Sequence, residues 1–275
     1  MRQQTAGVGI VTVSDLDDPR VADYVALNDP ARRRRVERDG GFFVVEGPVA
    51  LERLLDDGTW TVRSLLVLPR VAERLAPRLD GLDAPVLVAD PVVLEGIVGF
   101  DLHRGALASV DRRPAAPLDD LVRPGALILV GEALNDHENL GALYRNAAAF
   151  GASGIALDPT SADPFYRRSV RVSMGHVLDV PTAQVSALPA GLDDLRTRGV
   201  EVLALTPRTD AVPLQDLSHT GRPRALLVGA EGPGLTDATI AAADVAVRIP
   251  LAPGVDSLNV ATATAIALHH LTSVR

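Results

Sequence analysis

The 275-residue chain contains no cysteine, which excludes disulfides, thiolate zinc sites, iron–sulfur clusters and cysteine nucleophiles together. A reducing compartment is expected. Lysine is also absent, so every one of the 27 Lys-or-Arg positions is arginine, which codon bias explains more readily than selection for phosphate forks. Without lysine the phosphate-gripping loop GxxxxGK[ST] cannot be built. Aromatic residues make up only 3%, leaving Leu, Val, Ile and Ala to fill the core. The longest stretch of small and apolar residues, 258–268, is too short and too polar to span a bilayer. The opening MRQQTAGVGI lacks the basic-then-apolar layout of a signal peptide, and a cytoplasmic protein is expected.

Positive charge is outweighed: 27 arginines against 35 acidic residues give a net charge of −8, which argues against coating nucleic acid through bulk charge. Local basic patches are still possible. Arg32, Arg33, Arg34, Arg35 and Arg38 form one cluster, and Arg167, Arg168 and Arg171 another. Both are candidate phosphate contacts, although such runs more often mark a solvated face.

With 47% hydrophobic and 23% charged residues the composition is that of a globular protein, and the length suits two domains. Apolar runs at 42–45, 62–68, 86–89 and 106–110 read as strands, with helical patterns at 48–55, 71–79 and 91–98 between them. This predicts a small α/β domain over 1–115. The proline-rich segment RRPAAPLDDLVRPG interrupts any period, and a linker is placed at 116–125. A second α/β domain is predicted over 126–275, with strands at 126–130, 154–157, 200–205, 225–228 and 245–249. Helices are expected at 140–150, at 166–174 and from about 258. Apolar strands separated by helices indicate a mostly parallel sheet covered on both faces, which binds ligands beyond the carboxyl ends of its strands.

Three segments of the second domain carry polar residues after a predicted strand. In NDHENLGALYRNAAAFG, Asn139 suits a helix N-cap and Gly151 the left-handed residue that ends the helix. Leu140, Leu143, Ala147 and Phe150 form its apolar stripe, and Arg145 points away from it. LLVGAEGPGL carries Gly229, Gly232 and Gly234 at a spacing that is not GxGxxG, so a dinucleotide site has no fingerprint. IPLAPGVDSLNVATA delivers Ser257 and Asn259 to the start of a helix of small residues. Neither His137-Glu138 nor His269-His270 has metal-ligand spacing, and no metal is expected.

Taken in order, NxGAxxRxAxxFG, GAEGPGL and IPLxxGxxSLNVAxA resemble the three motifs of the SpoU (TrmH-like) branch of the SPOUT superfamily of RNA methyltransferases. RVSMGHVLDVP resembles the family's connecting segment. FFVVEGPVALERLL resembles a substrate-binding domain similar to certain ribosomal RNA-binding proteins. The resemblance implies a C-terminal sheet threaded into a trefoil knot, a homodimer, and transfer of a methyl group from S-adenosylmethionine to a ribose 2′-hydroxyl. The leading substrate is 23S ribosomal RNA, and tRNA is the alternative. It assigns catalytic and supporting roles to Asn139, Arg145, Glu231, Ser257 and Asn259. Cofactor contacts fall to Val228, Gly229, Ala230, Glu231, Gly232, Gly234, Ile249, Leu251, Ser257, Leu258, Asn259 and Ala261. RNA contacts fall to Arg145, Arg168 and Arg171 together with the N-terminal arginine cluster. Departures are Ala230, where a polar residue is common, Asn146, where Thr or Ser is frequent, and the Asp136-His137-Glu138 run before Asn139. A non-catalytic RNA-binding protein of the same fold would have no need of Arg145, Glu231 and Asn259 together.

If the N-terminal cluster tracks phosphates, reversing the charge of Arg32, Arg33, Arg34 and Arg35 weakens RNA binding and lowers its salt dependence without changing cofactor affinity. Filter binding across a salt series checks this, and unchanged RNA binding would return the cluster to an ordinary solvated face.

Overall fold

The computed structural model describes residues 9–29, 36–37, 39–102, 104–218 and 220–273, which fall into two compact units. The first comprises the described residues up to Arg113 together with Phe165–Gly175; the second comprises Pro114–Pro164 and the described residues from His176 onward.

The first unit holds β1 (Ile10–Val13), β2 (Phe42–Glu46), α1 (Pro48–Asp57), β3 (Val62–Val67), α2 (Pro69–Leu79), β4 (Val86–Ala89), α3 (Pro91–Val98) and β5 (Ala106–Asp111). Proline opens each of these three helices, where its fixed φ is already helical and its missing N–H costs nothing. The sheet order is β1-β4-β3-β5-β2, with β5 antiparallel to both neighbours and the other pairs parallel. The buried polar groups of Tyr24, Ser64 and Ser109 match one another. The Tyr24 hydroxyl donates to the Ser64 carbonyl at 2.7 Å and accepts from the Ser109 N–H at 3.0 Å.

The second unit follows as α4 (Leu118–Leu121), β6 (Leu127–Glu132), α5 (His137–Ala149), β7 (Gly154–Leu157), β8 (Thr182–Gln184), α7 (Leu192–Arg196), β9 (Glu201–Leu205), β10 (Val212–Pro213), β11 (Arg224–Gly229), α8 (Asp237–Ala242), β12 (Val245–Arg248) and α9 (Val260–Ser273), while α6 (Arg167–Val172) belongs to the first unit. Its sheet has the order β10-β12-β9-β11-β6-β7-β8, and every pair is parallel. Every residue of β6, β7 and β11 is buried, as apolar runs covered on both faces require. Among the described residues no helix is long and apolar enough to cross a membrane.

The structure departs from the sequence reading in the linker and in the helix expected over 166–174, and Phe165–Gly175 lies in the first unit, not in the domain predicted over 126–275. Part of the segment read as a linker is structured: Leu121 of α4 is fully buried in the second unit's core, with its Cγ only 2.6 Å from where a Cβ on Gly154 would lie. The helix expected over 166–174 spans only Arg167–Val172, because Met174 (φ 55°) and Gly175 (φ 84°) turn left-handed. Gly175 is required there, since a Cβ would sit 3.0 Å from the Ala50 Cα. Phe165 at the head of this segment closes an aromatic cluster with Phe43 and Trp60, at ring-centroid distances of 4.8 and 5.8 Å.

Asp158, just after β7, holds the β6–α5 connection. Its Oδ1 accepts from the Ala133 N–H at 3.0 Å and the Ser161 hydroxyl at 2.6 Å, and the Thr160 hydroxyl donates to Oδ2. Burial pushes this carboxyl up, but the donors from Ser161, Thr160 and Ala133 outweigh it and hold it below the ordinary carboxylate range. A lowered folded value means that the stabilisation is complete above an unfolded pKa of about 3.9 and is lost as pH falls through the folded value. Asp158→Asn should therefore flatten the acid limb of stability against pH in urea unfolding; an unchanged limb would show that this carboxyl does not titrate on unfolding.

Candidate active site

Because the second sheet is all parallel, β9, β11 and β12 end at one edge. The segments that follow them enclose a cavity of about 420 Å³. Residues 205–208 form one wall, 228–235 the floor, and parts of 249–260 the opposite wall. The floor is a tight reversal: the Gly234 N–H donates to the Ala230 carbonyl at 2.9 Å. Gly229 permits it, since a Cβ there would lie 2.2 Å from the Gly234 carbonyl carbon and 2.3 Å from the Leu235 nitrogen. Gly232 and Gly234 turn with φ of 90° and 71°.

The loop is anchored by a residue that the sequence reading missed. Glu132, buried at the end of β6, accepts from the Thr236 N–H at 2.9 Å and from the Thr236 and Thr239 hydroxyls at 2.9 and 2.6 Å. Its signal was a lone carboxylate closing the apolar run LILVGE. A buried carboxylate is tolerated when donors converge on it.

A chain of hydrogen bonds joins the three motif segments. Asn259 caps α9, its Oδ1 accepting from the Ala261 and Thr262 N–H groups at 2.9 and 3.3 Å. That duty fixes the orientation of the amide, so its Nδ2 must donate, and it does so to the Asn139 Oδ1 at 2.8 Å. The Asn139 Nδ2 is in turn committed as a donor to the Glu231 Oε2 at 2.8 Å. Asn139 is therefore not the helix cap that its position suggested. Asp136 performs that role, accepting from the Glu138 and Asn139 N–H groups at 2.8 and 2.7 Å. Asn146, one of the departures from the family pattern, donates to the Ala261 carbonyl at 2.8 Å and ties α5 to α9.

All residues expected to contact the cofactor line the cavity except Ala261, which is buried and outside the lining. Ser257 is exposed on the cavity wall. The sequence reading did not anticipate the wall at 205–208 or the ion pair between Arg208 and Asp237 on the cavity lining. Arg145 is exposed on α5, outside the cavity lining, with no hydrogen-bond or ion-pair partner among the described residues. Arg168 and Arg171 lie in the first unit, where Arg171 Nη1 is 2.5 Å from the Glu46 Oε1. Arg32, Arg33, Arg34, Arg35 and Arg38 lie outside the described residues.

Comparison with known proteins defines the class, that of RNA methyltransferases. The profile of the SpoU rRNA Methylase family matches residues 126–269. A protein of Mycobacterium tuberculosis named as an uncharacterised tRNA/rRNA methyltransferase is 40% identical over 272 residues, covering 98% of this chain and 94% of its own. The AdoMet-bound rRNA methyltransferase from Sinorhizobium meliloti has the same fold, with a TM-score of 0.81 at 28% identity over 96% of this chain and 98% of its own. A solved RNA 2′-O ribose methyltransferase matches with a TM-score of 0.77 at 26% identity, covering 95% and 98%. The chain belongs to the SpoU rRNA methylase family.

The close approach at Gly229 has a measurable cost if disturbed. Gly229→Ala forces a Cβ against backbone that cannot swing aside, and a loss of about 1–3 kcal/mol is expected in thermal or urea unfolding. An unchanged melting curve would show that the loop is not packed as tightly as described.

Proposed function

We propose that the protein binds S-adenosylmethionine in the cavity beyond β9, β11 and β12 and methylates a ribose 2′-hydroxyl of ribosomal RNA. The observation that carries the reading is the Asn259–Asn139–Glu231 chain, which joins all three motif segments at the edge of one cavity. The lining suits this cofactor. Leu205, Ile249, Leu251 and Leu258 supply apolar walls for a nucleoside, and Glu231 supplies a carboxylate compatible with a positive centre, Asp237 being paired with Arg208. No lysine grips a polyphosphate, because the chain has none. The AdoMet-bound Sinorhizobium meliloti enzyme and the solved 2′-O ribose methyltransferase support cofactor and reaction, respectively.

When bound, S-adenosylmethionine supplies an electrophilic methyl group on a sulfonium. The chain would have to align a hydroxyl oxygen with that methyl carbon, so that the O–C bond forms as the S–C bond breaks, the neutral thioether leaves and the hydroxyl proton passes to water; such positioning accounts for much of the rate of a displacement. Glu231, oriented by Asn139, and Ser257 on the facing wall are the polar side chains placed to fix the reactants. Arg145 is an unsuitable base, since a guanidinium scarcely deprotonates below about pH 12. Its role is to hold the target nucleotide's phosphate or hydroxyl and to stabilise oxyanion character at the attacking oxygen.

The same reading extends to the fold and assembly. A trefoil knot is supported by the path of the chain, in which β12 lies beyond β9 from β11, yet α9 returns to pack on α5 after β6. A homodimer through the catalytic unit is supported by Ile266, 42% exposed on α9. The first unit serves as the RNA-binding domain, and its presence favours rRNA over tRNA. Methyl transfer from labelled cofactor to separated rRNA and tRNA of a strain lacking the gene tests this directly. Alkali-resistant label in rRNA, lost in Arg145→Ala and reduced about tenfold to hundredfold in Arg145→Lys, is expected. Label in tRNA alone would reassign the substrate. Full activity of the lysine variant would remove the need for a planar fork, and absence of cofactor binding would leave a non-catalytic RNA-binding protein.

A further inference from the structure

The first unit contains a second cavity, of about 520 Å³, with no part in the chemistry above. Its wall carries Arg104, Arg167, Arg168 and Arg171 against two carboxylates, Glu46 and Asp101, so four positive charges face two negative ones. Glu46 is almost fully buried and already shared: Arg167 Nη1 lies 2.6 Å from its Oε2 and Arg171 Nη1 lies 2.5 Å from its Oε1. One carboxylate held by two arginines leaves an excess positive charge at the cavity wall. Arg167 is fixed on a second side, its guanidinium 4.4 Å from the centroid of the Phe100 ring. Its Nε is buried with no hydrogen-bond acceptor among the described residues, an unspent donor in a water-poor place. Arg104 is exposed on the same wall, with no ion-pair partner among the described residues.

Excess positive charge from planar forks, beside a guanidinium held rigidly against an aromatic ring, matches phosphate together with the flat face of a nucleobase. We propose that this cavity binds one nucleotide unit of a single-stranded RNA, with Arg104 and Arg168 on the phosphodiester and the base against the Arg167–Phe100 stack. Glu46 is a positioning residue that holds Arg167 and Arg171 in place. The inference rests on RNA being the substrate, and a free mononucleotide is the other source of the same chemistry.

Fluorescence anisotropy with the full chain and labelled oligouridylate tests it, with cofactor affinity measured by calorimetry alongside. In Arg104→Ala/Arg168→Ala, two exposed positions whose loss should not affect folding, RNA binding weakens and the slope of log K against log salt falls by about 1.4. Phe100→Leu weakens binding about tenfold with the salt slope unchanged, and loses this effect on an abasic oligomer. S-adenosylmethionine affinity is the same in all three proteins. Wild-type RNA affinity and salt slope in the double variant would overturn the site while leaving RNA as substrate. If the wild type binds no oligouridylate yet binds uridine monophosphate, and the double variant binds neither, the RNA reading falls and the cavity belongs to a free nucleotide. If neither probe binds, the proposal is overturned outright.

Discussion

The pairing of β11 between β6 and β9 governs the second unit, because parallel strands in register must all release their chains at the same edge. Arg224 through Gly229 align with Leu127 through Glu132 on one side, and Arg224 through Leu227 with Glu201 through Ala204 on the other. The glycine loop after β11, Glu132 at the end of β6 and the turn after β9 therefore meet without any long-range adjustment. At the opposite end of the strand, Arg224 Nε meets the Glu201 Oε2 at 2.7 Å, and both side chains are nearly buried. Breaking that pair would strand a charge in the core, so it resists slippage of β11 as well as providing an attraction.

On this frame the polar site is ordered by a sequence of commitments rather than by any strong single bond. The first peptide groups of α9 demand an acceptor, and Asn259 supplies it. The remaining end of that amide then dictates how Asn139 must lie, and Asn139 dictates how Glu231 is held. Each link is an ordinary hydrogen bond near 2.8 Å. The direction of the chain comes from the helix terminus, whose unpaired N–H groups cannot be turned round.

Much of this was legible in the sequence because buried parallel strands are continuous apolar runs. Those of β4, β7 and β11 stand out against proline- or glycine-bounded helices. The short edge strands β8 (Thr182–Gln184) and β10 (Val212–Pro213) carry too few apolar residues to show a period, and the four-residue run of β1, IVTV, follows the small residues AGVG and was not read as a strand. The site residues were legible as an ordered set of motifs resembling a family; the cofactor-contact set, Ala261 apart, lines one cavity with Asn139 bonded to its Glu231, whereas Arg145 lies outside the lining and Arg168 and Arg171 lie in the first unit. The misassignment of Asn139 as a cap had a local cause: Asp136, three residues earlier, takes the same N–H groups and frees Asn139 for a partner 92 residues away. Nothing local reveals Glu132 as the loop anchor or Glu46 as the partner of two arginines, because both are defined by contacts remote in sequence.

The placement of Phe165–Gly175 in the first unit also bears on the order in which the protein is made. A nascent chain emerges from its N-terminus, so the strands of the first unit are complete while the segment that finishes it still lies beyond residues 114–164. Until then Phe43 and Trp60 lack their third ring, and Glu46 lacks both arginines. The two halves must therefore mature in an interleaved order, not one after the other. Exchanging the N-terminal half without this distant strip would remove the third ring of the aromatic cluster and both arginine partners of Glu46.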